Sequence, residues 1–271
     1  MIATVRRTDA FHDVPPNFRT FVASTFGDQG RLWLASLPEV ERTLAERWSL
    51  VLGEELPGGL LSSVRAVRCA DGAEAVLKVG APWPRAVDEG VALRHLAGSG
   101  VPVVIASDDA VHALLLERIR PGTHPDPGDA HAVGDVLRRV HVAPPSGLPS
   151  LSTIVGRRID RAAGEGRASP RKAAWARTAV DRLAAADGAE ETLVHGDLDH
   201  RNLLVCARRG LVAIDPLPCV GDPAYDAASW AHAARRPGRR GRFEAIVTAT
   251  GLPRDRVRDW AAVIGIHGQK A

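Results

Sequence analysis

Three oxygen-bearing side chains and a histidine crowd one stretch of this chain, HGDLDHRNLLVCARRGLVAIDP: His195, Asp197, Asn202 and Asp215. Asp197 follows the apolar run TLV, Asn202 opens onto LLV, and Asp215 closes GLVAI, so each is expected at the end of a short strand. Oxygen donors converging at strand ends suit a hard cation such as Mg2+, which takes one or two carboxylates and fills its shell with water and phosphate oxygens. Phosphoryl transfer needs such an ion, and a carboxylate that orients the attacking hydroxyl and accepts its proton. Asp and Asn are also ordinary loop residues. The conjunction of all three with His195 and Gly196 is what points to this chemistry.

A second pair lies far upstream. Lys78, Lys172 and Lys270 are the only lysines, and arginine supplies the ordinary surface charge. Lys78 nevertheless interrupts AVLKV, a run that reads as a buried strand. Glu89 sits on the following helical stretch with Leu93 and Leu96 at i+4 and i+7, which aims its carboxylate at the core. A buried charge needs a partner, and these two can satisfy each other. In a phosphoryl-transfer site the acid would hold the ammonium against the α- and β-phosphates of a nucleotide. A weaker signal is LPGGLLSSV (56–64), a Gly-rich turn whose backbone could approach phosphates, with Ser62 and Ser63 as donors. It has neither a Walker A pattern nor a full G-x-G-x-x-G.

The elements that must position these groups follow from periodicity. A short helix is expected over 15–26 and a second over 37–50, opened by Pro38. GGLLSSVRAVRC and AEAVLKV read as a hairpin turning at Asp71-Gly72. A helix over 84–100 stops at Gly98 and Gly100, and VPVVIAS and HALLLERI add strands around Asp108-Asp109. RIRPGTHPDPG (118–128) reads as a linker. Helices are expected over 129–143, near 153–164 and over 170–187, then the short strands of the Asp/Asn stretch, then mostly helix over 223–267. The fold class is therefore α+β: a small antiparallel-sheet lobe with one inserted helix (1–117), a hinge (118–128) and a mostly helical lobe (129–271).

Composition narrows the partners. With 45% hydrophobic and 25% charged residues the chain is long enough for a real core. No apolar run reaches membrane-spanning length, and the opening MIATVRRTDAFHDV has no apolar segment behind its basic residues, so neither a membrane span nor a secretory signal is expected. Cys69, Cys206 and Cys219 form no C-x-x-C pair, which suggests a reduced, cytoplasmic chain without disulfides or a zinc site. The net charge of +3 has its densest cluster at Arg235, Arg236, Arg239, Arg240 and Arg242, expected in a loop, and aromatics are only 4%. Nucleic acid is not an expected partner. A monomer or weak homo-oligomer is expected.

These motifs resemble the aminoglycoside phosphotransferases, whose fold is like that of protein kinases. HGDLDHRN looks like their catalytic loop, and IDP stands where kinases carry D-F-G. RLWLASLPEVERTLAERWSL, DGAEAVLKV, DEGVALRHLAGSGV and ALLLERIRPG are similar to the streptomycin 6-phosphotransferase and hydroxyurea phosphotransferase subfamily over about residues 14–265. The resemblance implies a two-lobe kinase-like fold and transfer of the γ-phosphate of ATP, with Mg2+, to a small-molecule hydroxyl. It implies Asp197 as base, Asn202 and Asp215 as Mg2+ ligands, Lys78 on the phosphates and Glu89 orienting it. His195 would shape the loop, Asp226 would brace it, and Glu117 to Ile119 would present backbone groups to adenine. The 6-hydroxyl of streptomycin is the first acceptor implied. Hydroxyurea, another small metabolite, or nucleotide binding without turnover are the alternatives. A polycationic acceptor calls for acids: Asp199 first, and more weakly Asp126, Asp129, Asp160, Glu165 and Asp222.

Overall fold

The computed structural model describes residues 18–57, 61–81, 86–126, 128–185, 191–233 and 239–268. The expectations for the first fourteen residues, the start of the 15–26 helix, the middle of the Gly-rich turn (58–60), Arg235 and Arg236 fall outside these.

The N-terminal half is an antiparallel sheet of five strands, β1 (Val51–Glu55), β2 (Ser62–Arg68), β3 (Glu74–Gly80), β4 (Val104–Asp108) and β5 (Ala113–Glu117), in the order β1-β2-β3-β5-β4. β2 and β3 form the expected hairpin, with Gly72 at φ +84° in its turn. Side chains alternate between two apolar faces, as strand geometry requires. Ala75, Leu77 and Val79 of β3, with Ala113 and Leu115 of β5, pack under helix α1 (Phe18–Arg47). Leu114 and Leu116 face the other way, against Leu93 and Leu96 of α2 (Ala86–Leu96) and the C-terminal helices. Lys78 lies on this second face, opposite Val64 and Leu114.

Two expectations change here. The helix expected over 15–26 stops at Gly27, whose φ +55° and ψ −132° are non-helical, but the second begins directly after it instead of at 37, so Pro38 lies inside it. Burial of Leu37 and Leu44 on the sheet carries the helix past the proline, a case of tertiary packing overriding local propensity. Strand β1 was not expected. It is an edge strand exposed on both faces, so its sequence shows no apolar alternation.

Residues 118–126 lie along the C-terminal half as irregular backbone. Gly122 N–H donates to the Val205 carbonyl at 3.0 Å and Val205 N–H to the Thr123 carbonyl at 2.8 Å. Helices α3 (Ala130–Val140), α4 (Leu151–Gly164), α5 (Pro170–Ala185), α6 (Ala224–His232), α7 (Arg239–Thr250) and α8 (Arg254–His267) then build a bundle. Its largest buried side chains are Trp230, Trp260 and Tyr225. Arg239, Arg240 and Arg242 are in α7, not in a loop. Two ribbons lie between the sheet and the helices: β6 (Thr192–Val194) with the unexpected β9 (Cys219–Gly221), and β7 (Leu203–Cys206) with β8 (Gly210–Ala213). Among the described residues no helix is long and apolar enough to cross a membrane.

Candidate active site

The lone strand lysine meets Glu89 of the following helix and also Asp215 of the downstream motif. Lys78 Nζ donates to both carboxylate oxygens of Glu89, at 2.6 and 2.7 Å, and to Asp215 Oδ1 at 2.8 Å. Lys78 is 7% exposed and Glu89 9%. Period-two alternation turns Lys78 toward α2, and the Leu93/Leu96 face of α2 turns Glu89 toward the sheet. One ammonium therefore serves two acids. Burial, and secondarily the charge of Asp215, raises Glu89 above the usual carboxylate range although Lys78 opposes this. Burial would raise Asp215 too, but the ammonium holds it below its ordinary value. Burial pushes Lys78 down, and the two carboxylates more than reverse that.

The loop after β6 is fixed from beneath. Asp226, fully buried at the start of α6, accepts from His195 N–H at 2.7 Å and Gly196 N–H at 2.9 Å. His141 Nε2 lies 3.0 Å from the same carboxylate. These contacts keep Asp226 below the usual carboxylate range against the opposing effect of burial. His195 accepts from Asp197 N–H at Nδ1 (3.3 Å) and donates from Nε2 to the Ile214 carbonyl (3.0 Å), so it spans the two ribbons. Gly196 takes φ +78°, and a Cβ there would stand 2.1 Å from the Leu217 carbonyl oxygen. The loop thereby leaves the Asp197 side chain about half exposed, at 53%.

Asn202 is tied to both neighbours. Its Nδ2 donates to the Asp197 carbonyl at 2.7 Å and lies 3.3 Å from Asp197 Oδ2. Its own carbonyl accepts from Ile214 N–H at 2.9 Å, continuing the β7–β8 register, so Asp215 follows directly across the ribbon. Asp215 has φ +54°, a left-handed conformation that Asp tolerates better than most residues. The donor set fits Mg2+. Asn202 turns its nitrogen to Asp197, leaving its amide oxygen, and Lys78 engages only one oxygen of Asp215. The described residues contain no cluster of three or more His, Cys, Asp or Glu side chains suited to an ion. An amide and a carboxylate oxygen are what an ion completed by phosphate and water asks of the protein.

Other expected residues are placed differently. Ser62 shares the Lys78 face, opposite Gly80. Ser63 points to the α1 face and donates to Glu41 Oε1 at 2.7 Å, so its hydroxyl is withdrawn from the phosphate side by strand alternation. The Glu117 carboxylate accepts from Val103 N–H at 3.1 Å and from Arg209 of the β7–β8 turn. Ile119 is buried beside Cys206 and Val212. Asp199 caps the turn 200–202, and Arg201 engages it through Nε at 2.9 Å, which holds it below its ordinary value against burial. Asp160 pairs with Arg177 and Glu165 with Arg167. Asp222 is buried against Arg256 and Trp260, while Asp126 and Asp129 accept backbone N–H groups.

One neighbour of the loop escaped the sequence reading. Arg158 of α4 donates to the Gly196 carbonyl at 3.0 Å and to the Tyr225 hydroxyl at 2.6 Å, and lies 3.8 Å from Asp197 Oδ1. In a chain this rich in arginine, no sequence signal sets it apart.

A small antiparallel sheet with one helix carrying an acid to a strand lysine, above a helical half carrying the loop and ribbons, is the protein-kinase-like architecture. Solved structures share it at TM-scores of 0.63 (a choline/ethanolamine kinase family protein from Mesorhizobium loti, 20% identical, covering 86% of this chain and 83% of that one) and 0.58 (a macrolide 2'-phosphotransferase from Brachybacterium faecium, 20%, covering 85% and 90%). Residues 47–268 match the family described as aminoglycoside/hydroxyurea antibiotic resistance kinase. The chain is 30% identical to a streptomycin 6-kinase of Streptomyces griseus over 93% of its own length and 88% of the relative's. It is 32% identical to a hydroxyurea phosphotransferase of Kitasatospora aureofaciens over 95% and 79%. The chain belongs to the aminoglycoside/hydroxyurea antibiotic resistance kinase family, and is a small-molecule phosphotransferase.

Proposed function

We propose that the chain transfers the γ-phosphate of ATP, with Mg2+, to a hydroxyl of a small molecule, and that this is the 6-hydroxyl of streptomycin. The observation that carries the reaction is the approach of Lys78 to Asp215 at 2.8 Å, with Asn202 bound to Asp197 beside them. Residues 1–117 form the nucleotide lobe, 118–128 the hinge and 129–271 the catalytic and acceptor lobe. Ser62, the Glu117–Ile119 backbone and Lys78 hold the nucleotide, and Glu89 positions Lys78. Asn202 and Asp215 hold Mg2+, which when bound neutralises charge on the phosphates. Asp197 orients the acceptor hydroxyl and takes its proton as the new O–P bond forms and the bond to the leaving ADP oxygen breaks. Asp226 and His195 keep Asp197 in position.

The acceptor rests on the match to streptomycin 6-kinases along most of the chain. A second reading, hydroxyurea, is favoured by one observation. The acids expected to greet a polycation are engaged by arginines, a tryptophan or backbone groups, and Arg158 lies beside the loop. The test is purified protein with Mg-ATP and streptomycin, hydroxyurea or an aminoglycoside panel, reading phosphorylated product by mass and its position by NMR. Streptomycin 6-phosphate is expected. Asp197→Ala should lower turnover by roughly 10²–10⁴-fold and leave ATP binding intact. ATP binding with no product from any acceptor would reject the transferase reading.

A further inference from the structure

Arg242 is unusual among the arginines of this chain. It is 8% exposed on α7, and its guanidinium carbon lies 3.8 Å from the centroid of the Trp230 ring. That stack fixes the plane of the group and leaves its N–H donors to point along the plane. Nε and Nη2, the edge with which arginine grips a carboxylate or phosphate by two parallel bonds, are buried and have no hydrogen-bond partner among the described residues. Burial lowers this guanidinium to about 10, and Asp199 opposes the shift only through its charge. Asp199 is itself bound by Arg201. The ring nitrogen Nδ1 of His200, in the turn that follows Asp199, is likewise buried and unpartnered, and His200 lies within electrostatic reach of Arg242, Arg201 and His124. A desolvated cation with an empty two-pronged edge is costly until an anion meets it.

We propose that Arg242 and His200 form a binding site for one oxyanion, a carboxylate or phosphate group, on the α7 side of the loop that carries Asp197. The site is three residues beyond the base and is separate from the Lys78–Asp215 pair that faces the nucleotide. Its occupant is either a free inorganic anion or an oxyanion borne by the acceptor; only the second source rests on the transferase reading above.

The first measurement is calorimetric titration of the full chain with inorganic phosphate, without nucleotide or acceptor, for wild type, Arg242→Lys, Arg242→Gln and His200→Ala. Any phosphate bound near Lys78 is common to all four. Arg242→Lys keeps charge and stem but loses the two-pronged edge. It should weaken the Arg242-dependent site about tenfold or more, and Arg242→Gln should abolish it. Circular dichroism and melting curves verify that each variant is folded, and His200→Ala, which leaves the Trp230 stack in place, serves if the Arg242 variants are not. Equal phosphate affinity in wild type and every folded variant overturns the proposal. So does a wild type that binds no phosphate. The second measurement identifies the source. Phosphate that competes with the acceptor during turnover, with the competition relieved in Arg242→Lys, places the site in the acceptor pocket. Binding lost in Arg242→Lys, with turnover inhibition unchanged, assigns it to a free anion. A failed kinase assay leaves the titration readable.

Discussion

Lys78, Glu89 and Asp215 place two carboxylates on one ammonium in a buried space. Like charges sharing one cation compete, and burial sharpens the competition. The arrangement is over-supplied with negative charge until a cation arrives, which suits a metal-dependent site and not a stability device. Asp215→Asn is therefore expected to abolish turnover while leaving the melting temperature of the nucleotide-free protein unchanged or higher, because Lys78 and Glu89 then form a balanced pair. A melting curve beside a turnover assay checks this, and a large fall in melting temperature would make Asp215 a structural acid. Much of this was legible in the sequence. Lys78 is conspicuous in an apolar strand of a chain that otherwise uses arginine. Arg158 and Arg242 were illegible for the converse reason: nothing local separates a buried arginine from its many exposed neighbours.

At the scale of elements, a positive φ serves two ends. Gly196 is locked, with the Leu217 carbonyl where a side chain would go, and its N–H held by Asp226. Gly27 takes φ +55° at the kink of α1, and a Cβ there would meet nothing within 4 Å. Gly27→Ala should cost about 1–3 kcal/mol, the penalty of a backbone region that side chains avoid, with activity retained. Gly196→Ala should cost about 2 kcal/mol or more and lower turnover as well, because the loop must move and carry Asp197 with it. Urea unfolding and turnover of the two variants, side by side, test the contrast; equal effects would remove the loop from its positioning role. Gly196 was legible because its motif is local. The start of the second helix directly after Gly27 was not, because Pro38 imitates a helix start.

Across the whole molecule, the basic average conceals how arginine is used. Arg209 joins the β7–β8 turn to the Val101 carbonyl and to Glu117, so one side chain ties the two halves together where sequence patterns show only charge. Such ties leave histidine as the group that sets acid sensitivity. Burial, with the charge of Arg239, lowers His232 to about 4. Burial, with Arg158, His232 and Arg167 nearby, lowers His267 to about 3, and its Nε2 has no partner among the described residues. Above about pH 6.5, the ordinary histidine value, neither folded nor unfolded chain takes these protons and stability is full. As pH falls below that, the unfolded chain takes protons that the fold refuses, so stability drops until pH reaches the folded values. The carboxylates held low, Asp215 and Asp226, contribute their losses only as pH falls below their ordinary value of 3.8, and Glu89, held high, favours the fold as it takes a proton. From pH 6.5 to 4.5 the histidines therefore destabilise the fold while Glu89 offsets part of the loss, and the share of His232 and His267 is the difference in slope between wild type and the His232→Phe, His267→Phe double variant. His267→Phe alone should remove the larger part of that share, since His267 is the more buried and the further depressed of the two, without loss of stability at pH 7, because an apolar ring suits a site where, among the described residues, the ring nitrogen has no partner. Urea unfolding of wild type and variant at four pH values in the window measures the slope, and an unchanged slope in the His232→Phe, His267→Phe double variant would place the acid sensitivity elsewhere.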